Sequence, residues 1–225
     1  MPVTKQPSSP LHLSPKPSLR VAKSDRTRTA ILNAALEFVW LHPFHEMTVS
    51  SLMASTGVCR AAFYQYFSDL HELMEALLAL LQDEIYEVVA PWLIETGDPV
   101  SLMNEAIDGL VRVCYERGPF IKAISNSAAS DKRFEKAWEQ FLTQFDDAGC
   151  ARIKADQEQG LIPNFDPCSV MFALNRLNAY TIIDAFGQHP RKDPEPIREA
   201  LARIWASSLY GAEFIGSGSS NFVRT

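Results

Sequence analysis

Apolar positions along this chain recur with helical rather than strand spacing. Ile31, Ala34, Ala35, Phe38 and Val39 make one stripe, and Trp138, Phe141, Leu142 and Phe145 follow at i, i+3, i+4 and i+7 on another. No alternating run of β-branched residues bounded by turn signals stands out, so the expected fold is all-α.

Capping and breaking residues divide the pattern into nine predicted helices. The first opens near Ser24 and Asp25 and stops before Pro43, because the residue before a proline is pushed out of the helical region. Thr48 is a suitable N-cap for a short helix through Ser55, the Thr56, Gly57, Val58 stretch makes a turn, and another short helix spans 60–67. Asp69, with Glu72 three residues on, opens a long helix to about Val89, ended by Pro91. Asp98 and Pro99 open the next, Gly118 and Pro119 break it, and a short helix follows through about Asn126. Asp131 opens a helix ending at Gly160, Asp166 and Pro167 one ending at Gly187, and Asp193 and Pro194 one ending at Gly211.

Composition changes this picture mainly at the ends. Residues 1–23 hold five prolines and little to bury, and Gly216 to Ser220 is all Gly and Ser, so a disordered basic arm and a flexible tail over 212–225 are expected. The whole chain is 47% hydrophobic with 21% charged residues, enough for a packed core and unlike collagenous or wholly disordered chains. No apolar run approaches the ~18 residues of a membrane span, and no hydrophobic leader opens the chain. Cys59, Cys114, Cys150 and Cys168 lie far apart with no CxxC, which favours free thiols and a cytoplasmic location over a disulfide scaffold or zinc ribbon. Net charge is −6, yet the first 70 residues carry +3 and the other 155 carry −9. A basic end on an acidic body suits either a polyanion partner for that end or a solubilising tail.

The segment 48–67 has the layout of a helix-turn-helix: an N-cap, a helix of barely two turns, a turn glycine and a second short helix. Leu52, Met53, Val58, Phe63 and Phe67 can close a small core, leaving Arg60, Ala61, Tyr64 and Gln65 outward, a face able to enter a major groove about 12 Å wide. An αα-hairpin with merely structural aromatics would share the pattern. The run Ile31 to Leu36, Met47-Thr48-Val49, Leu52-Met53-Ala54, Gly57-Val58 and Phe63 to Phe67 resembles the DNA-binding half of the TetR family of bacterial repressors, over about 25–81. That resemblance implies a three-helix DNA-binding domain over 24–68, a larger ligand-binding and dimerisation domain over 69–211, and a homodimer built on the last two helices, about 167–187 and 194–210. It further implies a double-stranded DNA operator as partner. Thr48 and Tyr66 would hold phosphates, and Arg60, Ala62, Tyr64 and Gln65 would face or flank the groove. Two positions depart from the family pattern: Cys59 stands where Ser or Thr often opens the recognition helix, and Leu70 where Lys is frequent. Arg26 and Arg28, with the basic arm, are expected to supply the missing phosphate neutralisation.

The second half is rich in large apolar side chains, with Asn175 and Asn178 three residues apart on one otherwise apolar helix. Buried amides need partners, which another helix, a second subunit or a ligand carbonyl could supply. Ala173 to Asn178, Ala185-Phe186 and Ile204 to Gly211 are similar to mycobacterial members of the same family, whose ligand half encloses an apolar channel with an Asn pair. By that resemblance Asn175, Asn178, Trp138, Phe141, Leu142, Phe145 and Trp205 line a channel for a small hydrophobic effector. Met103, Leu110 and Cys114 replace bulkier aromatics and reshape it. The expected switch is a ligand that tilts the fourth helix, so that the paired recognition helices no longer match grooves about 34 Å apart.

Motifs for other classes are missing. GxSxG, GxxxxGKS, GxGxxG, HExxH and Glu-x-x-His do not occur, so no catalytic residue, cofactor or metal is expected. His42 and His45 read as loop imidazoles and Asp146-Asp147 as an exposed helix face. A dimeric helical adaptor without sequence-specific DNA binding, or an enzyme acting on a hydrophobic substrate, stand as the alternative readings.

Overall fold

The computed structural model describes residues 23–211; the expected arm, apart from Lys23, and the tail lie outside the described residues. Within them are eight α-helices, one 3-10 turn and no strand. The helices are α1 (Lys23–Leu41), α2 (Val49–Thr56), α3 (Arg60–Phe63), α4 (Leu70–Ile94), α5 (Pro99–Ala128), α6 (Lys132–Glu158), α7 (Pro167–Phe186) and α8 (Pro194–Leu209), with the 3-10 turn at Phe44–Glu46. None is long and apolar enough to cross a membrane.

Most starts follow from the capping residues. The Thr48 hydroxyl accepts from Ser51 N at 3.0 Å while Ser51 Oγ accepts from Thr48 N at 3.1 Å, a reciprocal cap for α2. Asp69, Asp98, Asp131, Asp166 and Asp193 each accept a backbone N–H in the first turn of α4 to α8. Gly57 closes α2 at φ 67°, in the left-handed region that a β-carbon disfavours.

Three expectations about helix extent are corrected. The first concerns the break at Gly118 and Pro119, which does not occur: α5 runs through it, so eight helices replace nine. An internal proline removes one hydrogen bond and crowds the carbonyl four residues earlier, at a cost of ~3 kcal/mol or more. Here that carbonyl, on Tyr115, accepts from the Arg191 guanidinium instead. Gly118 is needed for packing rather than for a break, since a β-carbon there would sit 2.2 Å from the Phe186 carbonyl oxygen. The second correction is at Pro91, which lies inside α4; the helix continues to Ile94 and buries Trp92. Arg152 sustains its end by donating to the Trp92 carbonyl and, at 3.1 Å, to that of Glu95. The third is the recognition helix, which spans 60–63 rather than 60–67 and passes into tight turns over 64–66. Cys59, its N-cap, makes no side-chain cap bond, as expected of a thiol that accepts poorly.

The thiol expectation is corrected as well. Cys150 and Cys168 form a disulfide joining the end of α6 to the start of α7, while Cys59 and Cys114 are free. The two lie 18 positions apart in sequence, but the α6–α7 hairpin sets their Cα atoms 4.7 Å apart, a proximity that linear spacing does not reveal.

Helices α1 to α3 and the first turns of α4 form a front unit around Ile31, Leu52, Phe63 and Leu73, all at most 1% exposed. Behind it α5 packs against α4, α6, α7 and α8, and touches α1. The apolar core is continuous from one part to the other.

Candidate DNA-binding face and effector cavity

The turn between α2 and α3 sets out one exposed face. Phe63 and Phe67 point inward, at 0% and 2% exposure, and Phe63 packs edge-on against Tyr64. That leaves Arg60, Ala61, Tyr64 and Gln65 exposed, with Arg60 Nη2 3.5 Å from the Tyr64 hydroxyl. Thr48 is exposed at the head of α2; Ala62 and Tyr66 are half-buried at the edge of the face. Arg26 is exposed, and the Arg28 guanidinium lies 5.5 Å from the centre of the Phe67 ring, beside the end of the recognition segment. Leu70 packs half-buried against the core. Arg60 and Tyr64 thus meet on one exposed face with Arg28 beside Phe67, and the other predicted DNA-facing residues lie on α1 to α3, at the cap of α2 and in the turn after α3.

Directly beyond this face, the start of α4 is tied to the start of α6. Arg133 donates to Asp69 at 2.7 Å, and His71 Nε2 lies 2.6 Å from Asp131 Oδ2 with its ring stacked on Phe134. Both aspartates are held below the usual carboxylate range, Asp69 chiefly by the Glu72 N–H it caps and Asp131 chiefly by its bond to His71.

Inside the larger unit lies an apolar cavity of about 80 Å³. All nine residues expected to line it do so: Met103 and Leu110 from α5, Trp138, Phe141, Leu142 and Phe145 from α6, Asn175 and Asn178 from α7, and Trp205 from α8. Cys114 also lines it, its thiol pushed up to about 12 by burial, which makes it an apolar wall element and not a nucleophile. One whole wall was missed: Ile85, Val89, Trp92 and Leu93 come from α4. The helical period there was readable, but which stripe faces a void depends on how α4 crosses α5 and α6.

The two amides are not equivalent. The Trp205 indole N–H donates to Asn178 Oδ1 at 3.0 Å, and because an indole nitrogen can only donate, the Asn178 amide is held one way round. Its Nδ2, on a side chain 5% exposed, has no protein partner and borders the cavity. Asn175 is held in the opposite sense: its Nδ2 donates to the Leu142 carbonyl at 3.0 Å and to Asp146 Oδ1 at 2.7 Å, leaving Oδ1 to accept. The cavity thus offers one donor and one acceptor in an otherwise apolar wall. Asp146 is accordingly no plain exposed face; its side chain is 14% exposed and also pairs with Arg176 at 2.9 Å, while Asp147 does face solvent.

Below the cavity floor a charged network joins three helices. Arg152 and Asp156 pair at 2.9 Å with side chains 9% and 2% exposed; Tyr210 donates to Asp156 at 3.1 Å and accepts from Trp92 Nε1 at 3.0 Å. Trp92 in turn packs edge-on against Trp205. At the other end His42 and His45 are exposed, and among the described residues no cluster of three metal-ligating side chains forms.

Comparison with known proteins agrees with this geometry in both halves. Residues 31–77 match the tetR family of bacterial regulatory proteins, and residues 103–211 match the C-terminal domain of the transcriptional regulator EthR. The chain is a TetR-family regulator. It is a helix-turn-helix, DNA-binding transcriptional regulator and not an enzyme. The HTH-type transcriptional regulator EthR of Mycolicibacterium smegmatis is 26% identical over 207 residues, covering 89% of this chain and 93% of the relative. The EthR of Mycobacterium tuberculosis is 26% identical over 196 residues, covering 83% and 88%. Among solved structures, the TetR-family regulator PfmR from Thermus thermophilus superposes with a TM-score of 0.66 at 18% identity, over 81% of this chain and 98% of its own. GusR of Salmonella enterica does so with a TM-score of 0.71 at 16% identity, over 85% and 99%. At those identities the structural matches speak for the TetR-like fold alone.

Proposed function

We propose that this TetR-family chain is a homodimeric, cytoplasmic repressor of a palindromic operator, released by a small, neutral, hydrophobic effector that carries a hydrogen-bond-accepting oxygen. The unpartnered Asn178 Nδ2 inside an apolar cavity carries the reading. Open to the cavity space and without a protein acceptor, this donor is free to bond a ligand, and an ester, amide or ketone oxygen would satisfy it. No charged side chain lines the cavity, so a charged effector would lose its hydration without recompense.

In this reading the front unit, 24–68, reads DNA and the larger unit, 69–211, binds effector and partner subunit. Arg60, Tyr64 and Gln65 approach the base edges, while Thr48, Tyr66, Arg26 and Arg28 neutralise or contact phosphates and Ala62 flanks the groove. The outer faces of α7 and α8 expose Phe172, Leu177, Tyr180 and Ile204, an apolar surface suited to the same surface on a second copy. Two copies so joined would present two recognition segments to successive turns of one face of the duplex.

The switch follows from the cavity's size. About 80 Å³ is well short of the roughly 300–1,000 Å³ of an occupied ligand pocket, so binding must push the walls apart. One of those walls is α4, whose first turn begins just after the recognition segment. Burying ~300 Å² of ligand at ~25 cal/mol/Å² yields ~7 kcal/mol before entropic losses, whereas a hundredfold loss of DNA affinity needs a differential of only ~2.7 kcal/mol. The test is footprinting on the DNA upstream of the coding locus across a salt series, with and without N-octylbenzamide as a neutral amide probe. Protection of a palindrome that is salt-sensitive and weakened by the amide supports the reading. Equal affinity for random duplex would support the adaptor alternative instead.

A further inference from the structure

The front unit is joined to the larger unit covalently by α4 and, at the start of α4, by its ties to α6. A further contact lies at the end of α1. There Trp40, 9% exposed, meets the loop that joins α7 to α8. The His189 ring centre is 5.0 Å from that of Trp40, and the Arg191 guanidinium carbon is 4.7 Å from the Trp40 ring centre and 3.9 Å from the Tyr115 ring centre. Arg191 also donates to the Tyr115 carbonyl, the one that Pro119 deprives of its helical partner. A planar guanidinium can stack on rings while its edge donates to a carbonyl; an ammonium cannot do both.

The loop itself is braced. Lys192 N donates to the Ala185 carbonyl at 2.9 Å, Lys122 Nζ to Gln188 Oε1 at 2.8 Å, and Tyr115 packs edge-on against Phe186. It is therefore a rigid continuation of α7, the helix whose other residues, Asn175, Asn178 and Ile182, line the cavity. Trp40 also lines an open groove of about 490 Å³ together with His42 and Phe44 from the front unit and Lys122 and His189 from the body.

We propose that Arg191 is a positioning residue for DNA recognition: clasped by Trp40 and Tyr115, it sets the angle of the DNA-binding unit on the body and passes displacements of α7 to it. The second half of this statement rests on the effector reading above; the first half does not. A displacement of α7 at Asn178 moves Arg191 with it, and Arg191 carries Trp40 and the end of α1. This route is separate from the one through α4.

The experiment compares full-length wild type with Arg191→Lys, Arg191→Leu, Trp40→Phe and Trp40→Leu. Amide hydrogen exchange, without DNA or ligand, reads the front unit against the body. Operator binding across a salt series, and its response to N-octylbenzamide, read function. A partly desolvated cation–ring contact corresponds to about three- to thirtyfold in an equilibrium, so Arg191→Leu and Trp40→Leu should speed exchange in α1 to α3 by that factor and leave α6 unchanged, with α5 disturbed around Tyr115 in the Arg191 variants alone. Operator affinity should fall by a similar factor with an unchanged salt slope, because no phosphate contact is lost. Affinity for the amide should hold while its effect on DNA binding shrinks. Trp40→Phe should retain most of the wild-type behaviour, and Arg191→Lys should not. Wild-type exchange in both leucine variants, or a rise spread evenly over all helices, overturns the proposal. Should wild type bind neither the duplex nor the amide, the repressor reading fails, and exchange in α1 to α3 still decides whether Arg191 holds the front unit.

Discussion

Removing the carboxylate of Asp156 tests whether the charged network under the cavity is structural. Asp156→Ala deletes the bond from Arg152 Nε at 2.9 Å and that from Tyr210 at 3.1 Å, and leaves a guanidinium with a 9% exposed side chain unpaired. Breaking a buried pair from one side costs about 3–5 kcal/mol. Arg152 keeps the Trp92 and Glu95 carbonyls as acceptors, which puts the expected loss at the lower end, about 3 kcal/mol. Tyr210→Phe removes only the hydroxyl, orphaning Trp92 Nε1 and one Asp156 oxygen, and should cost about 1–2 kcal/mol. The Tyr210 phenol is pushed up from its ordinary value chiefly by burial, so it stays a donor to Asp156 throughout the neutral range. Urea unfolding followed by tryptophan fluorescence at fixed protein concentration gives each loss, and the double variant gives the coupling. The two losses should fall short of additive, since both remove the same Tyr210–Asp156 bond. A cost below about 1 kcal/mol for Asp156→Ala, or strict additivity, would refute the view that these groups act as one buried unit.

Three other outcomes are expected. Cys59→Ser gives α3 a hydroxyl cap where the thiol makes no bond, and should raise stability by up to ~1 kcal/mol or tighten operator binding; a loss in both contradicts the capping argument. Cys168→Ser opens the link between α6 and α7, and for a loop of this length the expected loss is about 3 kcal/mol, read as a lower urea midpoint than oxidised wild type and matched by wild type under reductant. Acid should weaken the junction between α4 and α6: Asp69 and Asp131 have folded pKa values depressed below 3.8, so their contribution is complete above that value and is lost as pH falls through the depressed ones. An unfolding midpoint unchanged between pH 5 and pH 2.5 would contradict that sign.

The amino-acid pattern alone settles much of this protein because its signals are local. A cap such as Thr48 or Asp166 acts within one turn, and a left-handed Gly57 needs no distant partner, so the helix-turn-helix and most helix starts are legible. The faces of α6 and α7 are legible for a similar reason: helical spacing groups Trp138 with Phe145, and Asn175 with Asn178, whatever they pack against. Tertiary structure alone decides what those faces meet. Gly118 and Pro119 are helix breakers by every local criterion, yet α5 continues because Arg191, 72 residues beyond Pro119, takes over the freed carbonyl and Phe186 needs the room. Cys150 pairs with Cys168 because a hairpin closes, not because of their spacing. The α4 wall of the cavity, the opposite orientations of the two asparagines and the clasp on Trp40 arise the same way. Each depends on a contact between residues far apart in the chain, and local propensity carries no information about those.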